Sequence, residues 1–327
     1  MTVRPASVPR SVLVIAHTGR EQALQATVSV VCALAAAGVD VVVGEDQAPV
    51  LAAAMRSADV TGTFRPVPVD EVGAPSADVL HAVDLVLVLG GDGTILRAAE
   101  IVRGTPAPLL GVNLGHVGFL AESELDGLAD TVDRLLAADY EIDERMTVDV
   151  VVLDAGREVA RTWALNEIAV EKASRQRMLE IVLEVDGRPL TRFGCDGIVV
   201  ATPTGSTAYA FSAGGPVVWP EVEAMLVVPL SAHALFARPL VVGTSSTVAV
   251  ETVPGLGGAG VLWADGRRSV ELPERARVEV RRGEVPVRLA RLAATGFTER
   301  LVQRFQLPVN GWRGPGAGAR RGPGADA

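Results

Sequence analysis

The feature that most constrains this chain is the stretch at 84–94, DLVLVLGGDGT, in which five consecutive aliphatic residues run without a break into a glycine-rich turn carrying one carboxylate, Asp92. An aliphatic run bounded by a turn reads as a strand buried on both faces. The residues that follow, ILRAAEIV, have helical composition and spacing. Strand, tight turn and helix start therefore succeed one another directly. Glycines in such a turn admit a ligand close to the backbone, and the free N–H groups of the new helix point at it. The usual guest is phosphate. A carboxylate amid those donors repels phosphate by about 1 kcal/mol at 4 Å in water and several-fold more in a partly buried site. Asp92 therefore takes a proton from an attacking hydroxyl, faces a magnesium ion shared by the phosphates, or serves only as an Asx turn or helix cap. Gly90, Gly91, Gly93 and Thr94 form the candidate donor-phosphate cradle, with Thr94 favoured as a cap. Arg97, in the first helical turn, either reaches a phosphate oxygen or is a solvated surface arginine.

Two better-known phosphate loops fail against these residues. No GxxxxGK[ST] exists in the chain, and the dinucleotide fingerprint GxGxxG meets Leu96 where its last glycine should stand. The turn is a third kind of cradle.

Up to about residue 140, strands expected at 12–16, 39–43, 85–89 and 109–112 alternate with helices at 21–37, 48–57, after Thr94 and at 125–138. This βα alternation implies a parallel sheet with helices on its faces, and ligands in such sheets bind beyond the carboxyl ends of strands, where the Asp92 turn lies. Beyond 140 the pattern shortens into β segments at 147–153, 162–170, 179–185, 198–201, 247–252 and 278–280, with Asp154-Ala155-Gly156, Asp186-Gly187 and Asp265-Gly266 as hairpin turns. The expected fold class is α/β, with a Rossmann-like parallel α/β part followed by an antiparallel β part. The tail at 313–327 has seven Gly or Pro in fifteen residues and is expected to be disordered.

Composition narrows the function. A net charge of −9 and 4% aromatic residues argue against a nucleic-acid binder, which needs a basic field and stacking platforms. No run of 18 apolar residues is present, so no spanning helix is expected, and the start of the chain lacks a signal peptide's apolar region. Two cysteines, Cys32 and Cys195, form neither a disulfide framework nor a zinc spacing, and the histidines His17, His81, His116 and His233 are scattered. No protein-built metal cage is expected, and the compartment is expected to be the cytoplasm.

Two further polar stretches interrupt apolar ones. Asn166-Glu167 stands between WAL and IAV, and either ends a strand or, if buried, needs partners that a ribose or adenine edge would supply. TPTGSTAY at 202–209 follows an apolar run, and its four hydroxyls in six residues exceed what a helix cap requires. A neutral surface for ribose and phosphate oxygens is the reading favoured over scaffold.

GGDGT is shared by NAD kinases, variant 6-phosphofructokinases, and the diacylglycerol and sphingosine kinases. Taken with LNEIAVE, DGIVVATPTGSTAYAFSAGGP and GVNLGHVGFLAE, it makes the chain resemble NAD kinases from about residue 12 to residue 300. The resemblance implies an α/β unit formed by 1–140 with about 295–312, the last helix returning to it, and a β-sandwich-like NAD-binding unit at 141–294. It implies phosphorylation of the 2′-hydroxyl of the adenosine ribose of NAD to give NADP, with ATP or polyphosphate as donor and magnesium held mainly through the phosphates. Asp92 is then the proton acceptor. By the same resemblance Asp92, Gly93, Arg97, Asn166, Glu167, Arg177, Asp196, Thr207, Ala208, Tyr209, Ala210, Phe211 and Ser212 contact NAD, and the chain is a homodimer or homotetramer. SAHAL at 231–235 departs from the Pro-His-Thr-Leu of many members and loses the threonine's contact. For the late Asp265-Gly266 hairpin only a turn role is expected. The competing readings are a lipid or sugar kinase sharing the glycine turn, which lacks support from Asn166-Glu167 and TPTGSTAY, and a silent NAD(P)-binding regulator.

Overall fold

The computed structural model describes residues 2–3, 7–113, 118–121, 123–124, 127–175, 177–234, 237–254, 259–292 and 296–309. The tail expected to be disordered lies outside them. The first part runs β1 (Thr2–Val3), β2 (Ser11–Ala16), α1 (Glu21–Ala36), β3 (Asp40–Gly44), α2 (Ala48–Ser57), β4 (Arg65–Val67), α3 (Ala77–Ala82), β5 (Leu85–Leu89), α4 (Asp92–Val102), β6 (Leu109–Asn113), β7 (Ser123–Glu124), α5 (Leu128–Leu136) and β8 (Glu141–Arg145). Leu85, Val86, Leu87, Val88 and Leu89 are all fully buried, as a strand covered on both faces must be.

The second part runs β9 (Val148–Asp154), β10 (Arg157–Ala164), β11 (Glu167–Lys172), β12 (Leu179–Val185), β13 (Arg188–Cys195), β14 (Gly197–Ala201), a 3₁₀ turn (Thr204–Thr207), α6 (Tyr209–Ser212), β15 (Ala224–Leu230), β16 (Leu240–Gly243), β17 (Val248–Thr252), β18 (Gly260–Ala264), β19 (Arg268–Leu272) and β20 (Ala276–Arg282), before β21 (Val287–Arg291) and α7 (Phe297–Phe305).

The first sheet has the order β1-β8-β21-β6-β5-β2-β3-β4, with β7 beside β6. Its strands from β4 to β21 pair in parallel, whereas β8 pairs antiparallel with β21 and with β1. From β2 the chain moves outward to β3 and β4, then returns to β5 on the opposite side and moves on to β6. The strand order therefore reverses between β2 and β5, and a crevice at that point is the expected binding position in an open parallel sheet. The glycine turn after β5 sits at its mouth.

Two six-stranded antiparallel sheets make the second part, in the orders β10-β9-β20-β17-β12-β13 and β16-β15-β14-β11-β18-β19. They pack face to face, since Val150, Ile181, Val250 and Val278 of one sheet share a core with Ile168, Val200, Val227 and Leu262 of the other. In β9, β12 and β20 buried residues alternate with part-exposed ones, the signature of a sheet covered on one face. The central strand β14 is buried throughout because Ala210 of α6 covers its other face with Val199 and Ala201.

Three expectations change. The segment 162–170 is not one strand: β10 and β11 belong to different sheets, and the chain crosses between them at Leu165 and Asn166. The first sheet runs on to Arg145 and resumes at Val287, so it overruns the borders expected at 140 and about 295. The helix expected at 125–138 is confined to Leu128–Leu136 among the described residues. The three hairpin turns stand where expected, with positive φ at Ala155 and Gly156, Asp186 and Gly187, and Asp265 and Gly266.

Leu87 lies in the middle of β5 at 0% exposure. Leu87→Ala is expected to cost about 2–5 kcal/mol of stability, read from the midpoint shift in urea at unchanged slope.

Candidate active site

The site begins at two strand ends. His17 N–H donates to Leu89 O at 3.1 Å, so the loop after β2 lies against the end of β5. There Gly90, Gly91, Gly93, Thr94 and Arg97 line a cleft of about 330 Å³ with Ala16, His17, Arg20 and Arg267. Two helices start at this cleft, α1 after Arg20 and α4 after Gly91, and neither has a side-chain cap at its first turn. Among the described residues the Asp92 and Gly93 amides that open α4 have no backbone or side-chain acceptor, and they are available to an anion. Three arginines, Arg20, Arg97 and Arg267, stand around this uncapped turn on a chain of net charge −9.

Asp92 is the first residue of α4, and Gly91 is its cap position. The local-cap alternative therefore fails. The carboxylate instead accepts Phe119 N–H and Leu120 N–H, one on each oxygen at 3.3 Å. A Cβ on Gly118 would stand 2.4 Å from Asp92 Oδ1, so the backbone of 118–121 closes on the carboxylate with only hydrogen on its α-carbon there. Thr94 is also no cap: it lies inside the first helical turn, its N–H on Gly91 O, and its side chain fills the space beside Gly90. Arg97 is not a free surface arginine. It donates to Val72 O at 3.2 Å and lies 3.7 Å from Asp46, which holds the guanidinium at the cleft wall.

The crossing between the two antiparallel sheets builds the next part. Asp265, in the turn after β18, is buried, and its carboxylate accepts the N–H groups of Leu165 (3.0 Å), Asn166 (2.7 Å) and Glu167 (3.3 Å). Arg268 donates to it at 3.0 Å. Asp265 is therefore more than a turn residue: it organises the strand crossing that presents Asn166 and Glu167. Both are nearly inaccessible, and Glu167 Oε2 has no hydrogen-bond partner among the described residues. Burial, and then the neighbouring Asp265 carboxylate, push the Glu167 carboxyl up to about 8, opposed by a backbone bond from Tyr209.

The hydroxyls of the TPTGST turn divide differently from expectation. Thr202 Oγ1 donates to Leu165 O at 2.6 Å and accepts Gly205 N–H, while Ser206 Oγ bonds Pro203 O and the Val218 backbone. These two are buried and occupied as scaffold. Their work is to hold the turn on the strand crossing, where a Cβ on Gly205 would meet Asn166 O at 2.0 Å. Thr207 is part-exposed and donates to Thr204 O at 3.3 Å.

From there a groove continues. Glu167, Ala169, Glu171, Tyr209, Trp263 and Gly266 line a cleft of about 380 Å³, and Arg267, next to Gly266, lines the glycine-turn cleft. Glu171 and Tyr209 also border a third cleft of about 770 Å³, with Lys172, Arg175, Asp196 and Ser212. Tyr209 OH donates to Glu171 at 2.6 Å, and Lys172 pairs with Asp196 and holds its carboxyl below the usual range. Of the expected NAD contacts, the structure brings Glu167, Asp196, Tyr209 and Ser212 into these two clefts, beside Asn166. Ala208 precedes α6, Ala210 is buried in the core, Phe211 stacks on Phe305, and Arg177 is exposed outside the clefts. Residues not named as site residues from sequence are His17, Arg20, Arg267, Glu171, Lys172, Arg175 and Trp263, and Asp265 is expected there only as a turn residue. HTGR at 17–20 carried a signal, since it follows a strand and opens a helix as the Asp92 turn does.

A clamp joins the two parts. The Trp163 ring lies between the guanidinium groups of Arg103 (4.4 Å) and Arg268 (4.7 Å), Arg103 bonds Asp149 at 2.6 Å, and Arg267 and Arg268 both reach Glu100 of α4.

Asp265→Asn turns an amide donor toward one of the three N–H groups and is expected to lose about 1–3 kcal/mol of stability, measured by urea unfolding. Folded protein retains the Glu167 proton between about pH 4.5 and 8, where the unfolded chain has released it. Glu167 therefore lowers stability progressively as pH rises through that window. Glu167→Gln is expected to gain Tm relative to the unsubstituted protein as pH rises from below 4.5 to above 8; a Tm difference independent of pH would contradict the assignment.

Residues 12–140 match the ATP-NAD kinase N-terminal domain and residues 165–292 the ATP-NAD kinase C-terminal domain. The NAD kinase of Leifsonia xyli subsp. xyli is 60% identical over 94% of this chain and 97% of its own length. That of Thermobifida fusca is 58% identical over 94% and 93%. Yeast NADH kinase complexed with NADH superposes with a TM-score of 0.80 at 21% identity, covering 94% of this chain and 93% of that one. An NAD kinase from Archaeoglobus fulgidus in complex with ATP gives 0.60 at 27% identity over 81% and 96%. The glycine turn, the Asn166-Glu167 crossing and the hydroxyl turn thus lie in a sequence matched along nearly its whole length, and the chain belongs to the NAD kinase family.

Proposed function

We propose that Asp92 is the general base in the transfer of a phosphoryl group from ATP or polyphosphate to the 2′-hydroxyl of the adenosine ribose of NAD, giving NADP. The observation that carries this reading is the single carboxylate of the glycine turn, fixed at the reversal of strand order beside a cationic cleft. Each Asp92 oxygen accepts one N–H, which leaves each a lone pair for a proton. As the 2′-oxygen forms its bond to the transferred phosphorus, the bond from phosphorus to the leaving phosphate oxygen breaks and the hydroxyl proton passes to Asp92. The Asp92 and Gly93 amides with Arg97 and Arg267 face the charge on the donor.

The acceptor lies along the groove from Glu167 to Asp196. A Glu167 carboxyl with its pKa near 8 can donate as well as accept, and its partnerless Oε2 suits a ribose hydroxyl or base edge. Asn166, Tyr209, Thr207 and Ser212 complete that side. Among the described residues no three His, Cys, Asp or Glu side chains converge as a metal cage. One carboxylate beside a cleft for phosphates fits a magnesium ion that keeps most of its ligands from phosphate and water, and the ion would supply charge neutralisation on the donor.

Among the described residues no helix is long and apolar enough to cross a membrane. Two free cysteines support a reducing compartment, and we place the protein in the cytoplasm. The edge strand β16, with Val241 58% exposed, supports assembly of copies through the sandwich.

Asp92→Asn is expected to lower turnover by about 10²-fold or more while NAD binding persists. The assay supplies NAD, magnesium and either ATP or polyphosphate and follows NADP with an NADP-specific dehydrogenase. Near-normal turnover by the variant would remove Asp92 from its role.

A further inference from the structure

The two amides that aim Asp92 belong to a short segment, 118–121, and that segment is held from the far end of the chain. Arg300 of α7 is buried, at 7% exposure, and its Nη1 donates to Phe119 O at 3.4 Å and Ala121 O at 3.3 Å. These carbonyls flank Leu120, whose N–H bonds Asp92. The Phe119 ring sits 6.1 Å from Phe297 and 5.7 Å from Phe305, centroid to centroid, so α7 grips the segment by backbone and by ring.

The same helix reaches the acceptor side. Phe305 stacks on Phe211 of α6 at 4.4 Å, and Phe297 meets the Trp219 ring edge-on at 5.1 Å. Tyr209, which borders both acceptor-side clefts, and Ser212, which borders the larger one, are the ends of α6. One rigid helix thus touches both the segment that orients the base and the helix that borders the acceptor groove. Desolvating a guanidinium is costly unless its geometry is held. Burial lowers the Arg300 pKa, and the Asp143 and Asp92 carboxylates push it back up, so its charge lies within reach of the base.

We propose that α7 is a positioning element for phosphoryl transfer, in which Arg300 and Phe119 fix the direction of the Asp92 carboxylate relative to an acceptor held beside α6. Arg300 and Phe119 act through Asp92 and touch no reacting atom. The inference rests on Asp92 being the general base. A displacement of about 1 Å at a reacting group costs up to about 10²-fold in rate, so loss of the brace is read in kcat and not in NAD affinity.

The test is a double-mutant cycle on the full chain, measuring kcat and KM for NAD at saturating donor for the unsubstituted protein, Arg300→Met, Asp92→Asn and the double variant. Arg300→Met is expected to lower kcat by roughly 10- to 100-fold with KM for NAD nearly unchanged, and to cost almost nothing further in the Asp92→Asn background. Arg300→Lys, which keeps a charged donor, is expected to recover part of the loss. Phe119→Leu runs the same cycle without removing a buried charge, so the outcome does not hinge on Arg300→Met folding. An equal fold loss from these variants with and without the Asp92 carboxylate would make α7 mere scaffold and overturn the inference while Asp92 remains the base. Near-normal turnover of Asp92→Asn alone would overturn the base assignment, and the inference with it.

Discussion

Three successive amides, those of Leu165, Asn166 and Glu167, converge on one buried carboxylate, Asp265, and the site depends on that convergence. At this point the chain leaves one sheet of the sandwich for the other, a place where the ladder cannot satisfy the backbone. Buried amides without partners would each cost on the order of 1–3 kcal/mol. Asp265 supplies the acceptors from a hairpin about a hundred residues away in sequence. The crossing then offers its carbonyls to the next element: Leu165 O takes the Thr202 hydroxyl and Asn166 O the Thr202 N–H. The hydroxyl turn, α6 and the acceptor groove are thereby registered to one carboxylate.

The same hairpin reaches the donor side. Arg267 lines the glycine-turn cleft while paired with Glu100 of α4, and Arg97 is paired in like manner with Asp46. These part-exposed pairs contribute little to stability. Their effect is positional: each acid restrains a long side chain that would otherwise sample many rotamers, so the positive wall stands in place before any anion arrives.

What could be read from the sequence was whatever local pattern determines. The aliphatic run before the Asp92 turn, the βα alternation and the Asp-Gly hairpins each have a short-range physical cause, and each stands where it was expected. Strands such as Arg157–Ala164 and Arg188–Cys195 were hidden because their exposed faces carry Arg, Glu and Thr and blur the alternation. The crossing at Leu165 and Asn166 was invisible as a crossing, since its cause is the distant Asp265. Asn166 and Glu167 could still be noticed as polar residues in an apolar context. Thr202 and Ser206 show the limit most plainly. A hydroxyl that bonds backbone and one that bonds a ligand look the same in sequence, and only the carbonyls of Leu165 and Pro203 and the backbone of Val218 distinguish them. His17 and Arg20 share the loop after β2, whereas Arg267 comes from the hairpin after β18 in another sheet, and only the fold brings them to one cleft.

The sandwich leaves and rejoins the first sheet through β8 and β21, which are hydrogen-bonded neighbours with Arg145 opposite Val287. Its two covalent connections therefore emerge about 5 Å apart. Two tethers so close together restrict any excursion of one part against the other mainly to rotation about that strand pair, as in a door on a single hinge. The Trp163 stack lies beside this joint, since Trp163 pairs with Asp149 of β9, and the Glu100 pairs hold α4 to the hairpin after β18. Both connections lie on one strand pair, so the placement of donor cleft against acceptor groove is set along a single line of the fold.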